Sequence, residues 1–164
     1  MTHILTSCQE PARQIIWDLA RNFWPHKNEQ WPIINLGTIL GCGNLNAYQE
    51  EIQNQPGRIA TPHKSAKGKS KLLQILVSES AYLIWTIRCE RVIQKKHLDA
   101  REIKARWHRA INKRLTEDRI IATEIKRSKY VIEQLRNTWE EALKKLRPTP
   151  ETWIYHDEVL VGRR

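Results

Sequence analysis

The first residues of this chain that could bind a metal are His3 and Cys8, five positions apart. Histidine nitrogen and cysteine thiolate are common ligands of structural zinc, which takes about four of them, usually as two close pairs. Cys42, His26 and His63 are the other candidates, but none forms a second close pair. We therefore predict half of a metal site, unoccupied unless the missing ligands come from outside this chain, and no other cofactor.

Basic residues are the second group that could do chemistry, and they lie in two stretches of the chain. A lysine-rich stretch ends a polar region, and a predicted helix carries further cations; the residues are Lys64, Lys67, Lys69 and Lys71, then Arg101, Lys104, Arg106, Arg109 and Lys113. The net charge of +10 favours polyanionic partners. Such cations can neutralise phosphates without reading bases, so we predict sequence-non-specific contact with RNA or DNA. The alternative is a solvated surface, paired in part by Glu90, Asp99, Glu102 and Glu117.

Catalytic chemistry has one candidate, Glu79, which lies between Ser78 and Ser80 in an apolar stretch. Burial could raise the pKa of such a carboxylate, and a hydrolase would then need a basic or histidine partner in a cleft. The other interpretation is the polar edge of a buried helix. No Ser/His/Asp set, phosphate-binding glycine loop, His-Glu-x-x-His motif or acidic two-metal cluster can be assembled from nearby positions. We predict that the chain is not an enzyme.

Seven tryptophans are spread over the sequence, which indicates a hydrophobic core along its whole length. Four lie among aliphatic residues at helical spacing and are predicted to be in the core: Trp17, Trp85, Trp107 and Trp139. Trp31 and Trp153 lie beside prolines or in the tail and are freer to stack on bases. With 164 residues, 40% of them hydrophobic, the chain is predicted to form one domain.

The cysteines and the apolar runs bear on location. Cys8, Cys42 and Cys89 form no disulfide framework, being odd in number and widely spaced, which predicts a reducing compartment. The first residues lack the basic start and apolar run of a secretory signal. No window approaches the ~20 apolar residues of a membrane span, because charges interrupt the best candidate, residues 72–93. We expect an intracellular location, nuclear or cytoplasmic, and no membrane partner.

The first third of the chain supplies one clear helix. Residues 10–24 are predicted to form it, since Pro11 suits a first turn and apolar residues recur at helical spacing until Pro25. Residues 33–40 contain one helical turn before a pair of glycines. Residues 44–71 are polar, carry prolines and glycines, and are predicted to form a long flexible loop.

Most of the remaining sequence has helical patterns. Residues 70–96 are predicted as a long central helix, because apolar residues cover more than one stripe of it. Asp99-x-x-Glu102 resembles a capping box and begins the basic helix. A third apolar pattern covers residues 121–146 and ends before Pro148.

Together these patterns predict an all-α fold, a single helical domain with a long central helix, a long polar loop before it and a short extended C-terminal tail. Its parts are an N-terminal helical segment with the half metal site, a basic flexible loop, a helical core and the tail, at residues 1–43, 44–71, 72–147 and 148–164. The tail carries Val159-Leu160-Val161 and could lie as an extended strand or a docked arm.

Several segments in this order resemble the C-terminal region of fungal non-LTR retrotransposon polyproteins. They are THILTSC at residues 2–8, IWDL at 16–19, LGCG at 40–43, ILVSESAYLIW at 75–85 and RCERVI at 88–93. The resemblance continues through Trp107 with Ala110-Ile111-Asn112 and Arg114-Leu115, and reaches Val159-Leu160-Val161-Gly162. It covers nearly the whole chain.

This resemblance implies an origin for the half metal site. In the family, a Cys-x-x-Cys precedes the stretch matching His3 and Cys8, and the four residues resemble a zinc knuckle of the reverse-transcriptase zinc-binding type. Only the last two ligands carry over, to His3 and Cys8. We expect Met1 to correspond to an internal methionine of the longer polyprotein.

The resemblance also implies a function. The family carries endonuclease, reverse transcriptase and ribonuclease H domains ahead of this region, so their activities do not transfer. It implies a non-catalytic, retrotransposon-derived helical module that contacts RNA or DNA, or packs against the upstream retroelement domains. The alternative is an interaction or scaffold domain, with apolar surface exposed near Ile4, Leu5 and the first helix, or a decayed fragment without present function.

Overall fold

In the part of the chain that the structure describes, apolar residues at helical spacing form five α-helices. The structure, a computed structural model, describes residues 5–6, 10–26, 31–46, 64–146 and 152–155. The helices are α1 (Pro11–Phe23), α2 (Leu36–Leu40), α3 (Lys64–Gln94), α4 (Ala100–Ile120) and α5 (Lys129–Leu146). These ranges contain no strand, which confirms the all-α prediction. No described helix is both long and apolar enough to span a membrane.

Helix α3 is the central element. Its 31 residues span about 46 Å at ~1.5 Å per residue. Helix α5 packs against its N-terminal half, α1 packs against its C-terminal half, and α4 packs against α1 and contacts both halves of α3. Leu72, Leu76, Val77 and Ile84 are buried on different sides of α3, as the broad apolar pattern predicted.

Helix α3 begins at Lys64, earlier than predicted, and this corrects the boundary of the flexible loop. The first turns carry small buried residues, Ala66, Gly68 and Ser70, and the missing side chain of Gly68 lets the backbone of α5 approach closely at Asn137. Packing therefore stabilises a helix that the polar lysine-rich composition concealed. The lysines Lys64, Lys67, Lys69 and Lys71 lie on helical turns rather than in a loop. Residues 47–63 lie outside the described part of the chain.

Helix α4 begins at the predicted capping box. The Asp99 carboxylate accepts from the Glu102 backbone N–H at 2.7 Å, and the Glu102 carboxylate accepts from that of Asp99 at 3.0 Å. The two bonds satisfy N–H groups that a helix start leaves without partners. One stripe of α4 faces the interior, and it consists of Ile103, Trp107, Ile111, Leu115 and Arg119.

The predicted helix over residues 121–146 is divided in two. Helix α4 continues into a π-helical turn, Ile121–Lys126, and stops at Arg127, whose φ of 46° is left-handed. The Arg127 N–H donates to the carbonyl of Ala122, five residues earlier, at 3.1 Å. This wide turn closes α4, and α5 begins at Lys129. Helical periodicity on both sides of the break made the two helices look like one.

The described part of the tail adopts the docked arrangement, one of the two alternatives predicted, rather than an extended strand. Trp153–Tyr155 forms a 3-10 turn, and both Trp153 and Ile154 are 1% exposed. The buried Arg119 donates from Nε to the Ile154 carbonyl at 2.9 Å. Burial of a large aromatic side chain stabilises this docked turn, so Trp153 is a core residue.

Leu5 and the apolar face of α1 are covered, contrary to the exposed surface predicted there. Leu5 is 5% exposed, and Ile16 and Trp17 on α1 are buried. The Trp17 indole N–H donates to the Leu5 carbonyl at 3.1 Å, which fixes this segment on α1. Ile4 lies outside the described residues.

The contact between α3 and α5 at Gly68 can be tested directly. Alanine normally stabilises a helix by about 1 kcal/mol relative to glycine. At Gly68 a Cβ would overlap the backbone carbonyl of Asn137, so the two helices would have to separate. We expect Gly68→Ala to lower the free energy of unfolding by about 1–3 kcal/mol, measured by urea denaturation. Gly43→Ala is the control, since Gly43 is exposed and a Cβ added there would meet no atom within 4 Å; equal losses in both variants would contradict the expectation.

Candidate nucleic-acid interface

The predicted basic residues form two groups rather than one continuous patch. Helices α3 and α4 are antiparallel, because Trp107 contacts Ser80 while Asp118, later in α4, lies near Lys71, earlier in α3. Lys67 and Lys71 therefore lie near the C-terminal end of α4. Arg101 lies in the first turn of α4, about 25 Å from Asp118 along the helix at ~1.5 Å per residue.

The first group lies on α4. Arg101, Lys104 and Arg109 are exposed, and no carboxylate of the described residues forms an ion pair with them. The two nearest acidic residues along the chain, Asp99 and Glu102, cap the N-terminus of the helix instead.

Lys113 extends this first group towards the middle of α4. It pairs with Glu117 at 3.8 Å, but both side chains are largely exposed, at 78% and 48%, so the pair is weak. We call the set Arg101, Lys104, Arg109 and Lys113 the α4 basic face.

Arg106 is different from the other predicted contacts. Its guanidinium donates from Nη1 to both carboxylate oxygens of Glu90, at 2.9 and 2.8 Å, and both side chains are about three-quarters buried. This charge-assisted pair joins α3 to α4. A role for Arg106 in phosphate binding stays a prediction, and we leave it out of the α4 basic face.

The second group lies on the first turns of α3. Lys67 and Lys71 are exposed and line a cavity of about 480 Å³ between α3, α5 and the end of α4, which we call the α3–α5 cavity. Lys69 is half-buried and interacts with other groups of the protein. The side chain of Lys64 lies outside the described part of the structure.

The α3–α5 cavity combines apolar and polar walls. Ile121, Val131 and Leu135 supply apolar surface. Tyr130 and Gln134 lie on α5, where the Gln134 amide donates to the Tyr130 hydroxyl at 2.7 Å. The cavity thus offers an apolar surface bordered by hydrogen-bonding groups.

Asp118 is the polar group of this cavity that the sequence reasoning missed. Its Oδ2 accepts from the Trp139 indole N–H at 3.1 Å, and its Oδ1 lies 3.3 Å from Arg114 Nε. Burial raises the pKa of Asp118, while Arg114, Trp139 and Lys71 act in the opposite direction. The i,i+4 spacing from Arg114 was the visible signal, but only the tertiary structure turns this carboxylate towards α5.

Glu79, the catalytic candidate, has basic neighbours in Arg114 and Lys113, but it lines neither of the two described pockets. Burial raises its pKa and the Arg114 charge lowers it, as for a carboxylate at the edge of a helix contact. Its serine neighbours are engaged elsewhere, because Ser80 accepts from the Trp107 indole at 3.1 Å and Ser78 donates to the Ile75 carbonyl at 3.2 Å. Glu79 is not among the described residues that line the α3–α5 cavity.

The metal prediction lies outside what the structure describes, since His3, Cys8 and His63 are not in the described ranges. Within those ranges, no three His, Cys, Asp or Glu side chains cluster as metal ligands would. Cys42 is a half-buried free thiol, and His26 Nδ1 lies 3.0 Å from a Glu141 carboxylate oxygen.

A partly exposed apolar stripe lies on the C-terminal half of α3. Tyr82 is 70% exposed and Ile93 76%, and Trp85, Cys89 and Val92 lie between them at spacings of three and four residues. We call these five residues the α3 apolar stripe. Trp85 was predicted to be in the core and is 36% exposed, because α5 covers this face only along the first half of α3.

The resemblance to retrotransposon polyproteins rests on sequence segments alone. Comparisons of the chain with protein-family models, with curated proteins and with solved structures find no match. The resemblance therefore stays a prediction, and a functional proposal depends on the geometry described above.

The protonation of Asp118 gives a pH-dependent prediction. Its pKa is raised in the folded state, so the folded protein binds this proton more tightly than the unfolded chain. The stabilisation is fully present below the unfolded pKa and is lost as pH rises through the folded pKa. We expect the free energy of unfolding of the wild type, relative to Asp118→Asn, to increase as pH falls from about 7 to about 4.

Urea denaturation across this pH range measures the difference. Asp18→Asn is the control, because the Asp18 carboxylate accepts from Gln14 at the exposed surface of α1. A wild-type advantage over Asp118→Asn that stays flat or grows with rising pH would refute the expectation.

Proposed function

We propose that this protein is a non-catalytic helical module that binds RNA or DNA without reading base sequence. The observation that carries the proposal is the exposure of Arg101, Lys104 and Arg109 without carboxylate partners among the described residues. Exposed cations that are not neutralised within the protein attract phosphates and release their counterions. The net charge of +10 strengthens that attraction at long range.

The geometry of α4 suits the phosphate backbone better than the base edges. Arg101 and Arg109 are about 12 Å apart along the helix at ~1.5 Å per residue, and one DNA strand presents about three phosphates over that length. The side chains project from a helix whose opposite stripe is buried, so the face is held rigidly. Backbone contacts of this kind fix position without specifying sequence.

The resemblance to retrotransposon polyproteins supports the same class of partner. In an element whose upstream domains act on nucleic acid, a basic helical region behind them would contact template RNA or DNA. The proposal includes that origin and assigns no catalytic step to this chain.

Neutralising Arg101, Lys104 and Arg109, the three residues of the α4 basic face without an ion pair among the described residues, should remove most of the binding. We expect Arg101→Ala/Lys104→Ala/Arg109→Ala to weaken binding of a fluorescent single strand or duplex about 10-fold or more at low salt. For duplex DNA, the slope of log affinity against log salt should fall by about 2–3, since each lost phosphate contact contributes about 0.9. Fluorescence anisotropy over a salt series measures both quantities.

A matched variant separates the effect of the α4 basic face from the effect of the total charge of the protein. Lys126→Ala/Lys129→Ala/Arg136→Ala removes the same charge from exposed positions on the π-helical turn and α5. We expect this control to lose less than about 3-fold, with the slope nearly unchanged. Equal losses in the two triple variants, or no binding by the wild type at low salt, would overturn the proposal.

The α3 apolar stripe favours a second candidate function, self-association. Tyr82, Trp85, Cys89 and Val92 follow the three-and-four spacing of helices that pair side by side. The exposed Lys95 and Lys96 lie beyond one end of the stripe and Glu79 lies at the other, so an antiparallel pairing of two copies brings opposite charges together.

Sedimentation analysis of the full chain tests this second function. We expect the wild type to associate as its concentration rises, and Tyr82→Lys/Ile93→Lys to stay monomeric because charge replaces the apolar contacts. Ile125→Lys is the control, since Ile125 is 68% exposed but lies on the π-helical turn. A wild type that is monomeric at every concentration would exclude self-association through this stripe.

A further inference from the structure

The α3–α5 cavity has an uneven distribution of charge that points to a particular class of ligand. Its α3 wall carries two cations, Lys67 and Lys71, one helical turn apart. The carboxylates Asp118 and Glu133 lie on its α4 and α5 walls. A ligand that fits both sides is anionic at one end and rich in hydrogen-bond donors at the other.

The two lysines are available to an anion. No carboxylate of the described residues forms an ion pair with Lys67 or Lys71. The positive charge of Lys71 acts on the Asp118 carboxyl group, but the two carboxylate oxygens face Arg114 and the Trp139 indole. Ammonium groups one turn apart on a helix can both contact the oxygens of one phosphate.

The space between the charged walls suits a flat ring. Val131 and Leu135 form an apolar surface on α5, and the ring of Tyr130 is 55% exposed beside it. Aromatic side chains of this kind stack on bases. The volume of about 480 Å³ falls in the range of small-molecule sites, roughly 300–1,000 Å³.

We infer that the α3–α5 cavity holds one unpaired nucleotide, with its phosphate at Lys67 and Lys71 and its base beside Tyr130, the exocyclic amino group donating to Asp118. The inference rests on the proposed function for the identity of the ligand, and it adds a second binding place that the α4 basic face does not provide. Each carboxylate oxygen of Asp118 keeps a lone pair for such a donor, since each faces one protein nitrogen.

Titration of the full chain with adenosine monophosphate tests the inference, by calorimetry or by NMR. Three probes each lack one feature: adenosine has no phosphate, ribose 5-phosphate has no base, and inosine monophosphate keeps the purine ring but has no exocyclic amino group. We expect adenosine monophosphate to bind more tightly than each probe by about 10-fold, because a charge-assisted or stacking contact is lost each time.

Variants locate the binding. We expect Lys67→Ala/Lys71→Ala to weaken adenosine monophosphate binding about 10-fold, and Lys126→Ala/Lys129→Ala, which removes the same charge elsewhere, to change it less than about 2-fold. Val131→Trp should abolish binding by filling the cavity. Should that variant fail to fold, the lysine variants and the probes still decide the question.

Several outcomes would overturn the inference. Ribose 5-phosphate binding as tightly as adenosine monophosphate would reduce the site to a phosphate contact. If a zwitterion such as phenylalanine bound more tightly than adenosine monophosphate, the ligand of the cavity would belong to a different chemical class. Unchanged binding of adenosine monophosphate by Lys67→Ala/Lys71→Ala would show that it binds outside the α3–α5 cavity.

The failure of this inference is distinguishable from failure of the proposed function. Strand binding that depends on Arg101, Lys104 and Arg109 without any binding of adenosine monophosphate would overturn the inference and leave the function intact. Binding of adenosine monophosphate with the expected pattern, but no binding of RNA or DNA strands, would support the inference about the cavity and overturn the proposed function. The Arg101→Ala/Lys104→Ala/Arg109→Ala variant should bind adenosine monophosphate as the wild type does, because the α4 basic face lies outside the cavity.

Discussion

The constraint on which this structure depends is the difference in length between α3 and the helices that cover it. With 31 residues, α3 exceeds the 18 of α5 and the 21 of α4, so no single neighbour can cover it from end to end. Helix α5 approaches closely at Gly68, where two backbones nearly touch, and leaves the opposite half of that face uncovered. The α3 apolar stripe follows from this unequal cover, whereas the α3–α5 cavity lies in the half of α3 that α5 does cover.

The arginines of α4 are divided between contacts inside the protein and the exposed surface. Arg106 and Arg119 are engaged inside, one with the Glu90 carboxylate and the other with the Ile154 carbonyl, and each joins two separate parts of the chain. Arg101 and Arg109 lie on the outer side of α4 and have no such partner among the described residues. A buried guanidinium needs hydrogen-bond acceptors from the protein, whereas water solvates an exposed one. Helix α4 carries arginines of both kinds.

Local signals in the sequence predicted the helices that local chemistry determines. The capping box at Asp99 and the proline at the start of α1 specified both helix starts, because their hydrogen bonds and backbone angles involve only neighbouring residues. The start of α3 was missed, since the burial of Gly68 against α5 cannot be read from a lysine-rich stretch. The predicted cations were identified by type alone, whereas the pairing of Arg106 and the orientation of Asp118 depend on contacts between residues far apart in the chain.

The unbroken course of α3 from Lys64 to Gln94 has a consequence for avidity. The first turns of α3 line the cavity, and its last turns carry the apolar stripe. Because both lie on one continuous helix, the distance between them is fixed. Two copies joined antiparallel through their stripes would hold their cavities at the far ends of the pair, facing outward at a constant separation. A long strand that reached both would be held bivalently, with an effective local concentration set by the helix rather than by any new contact.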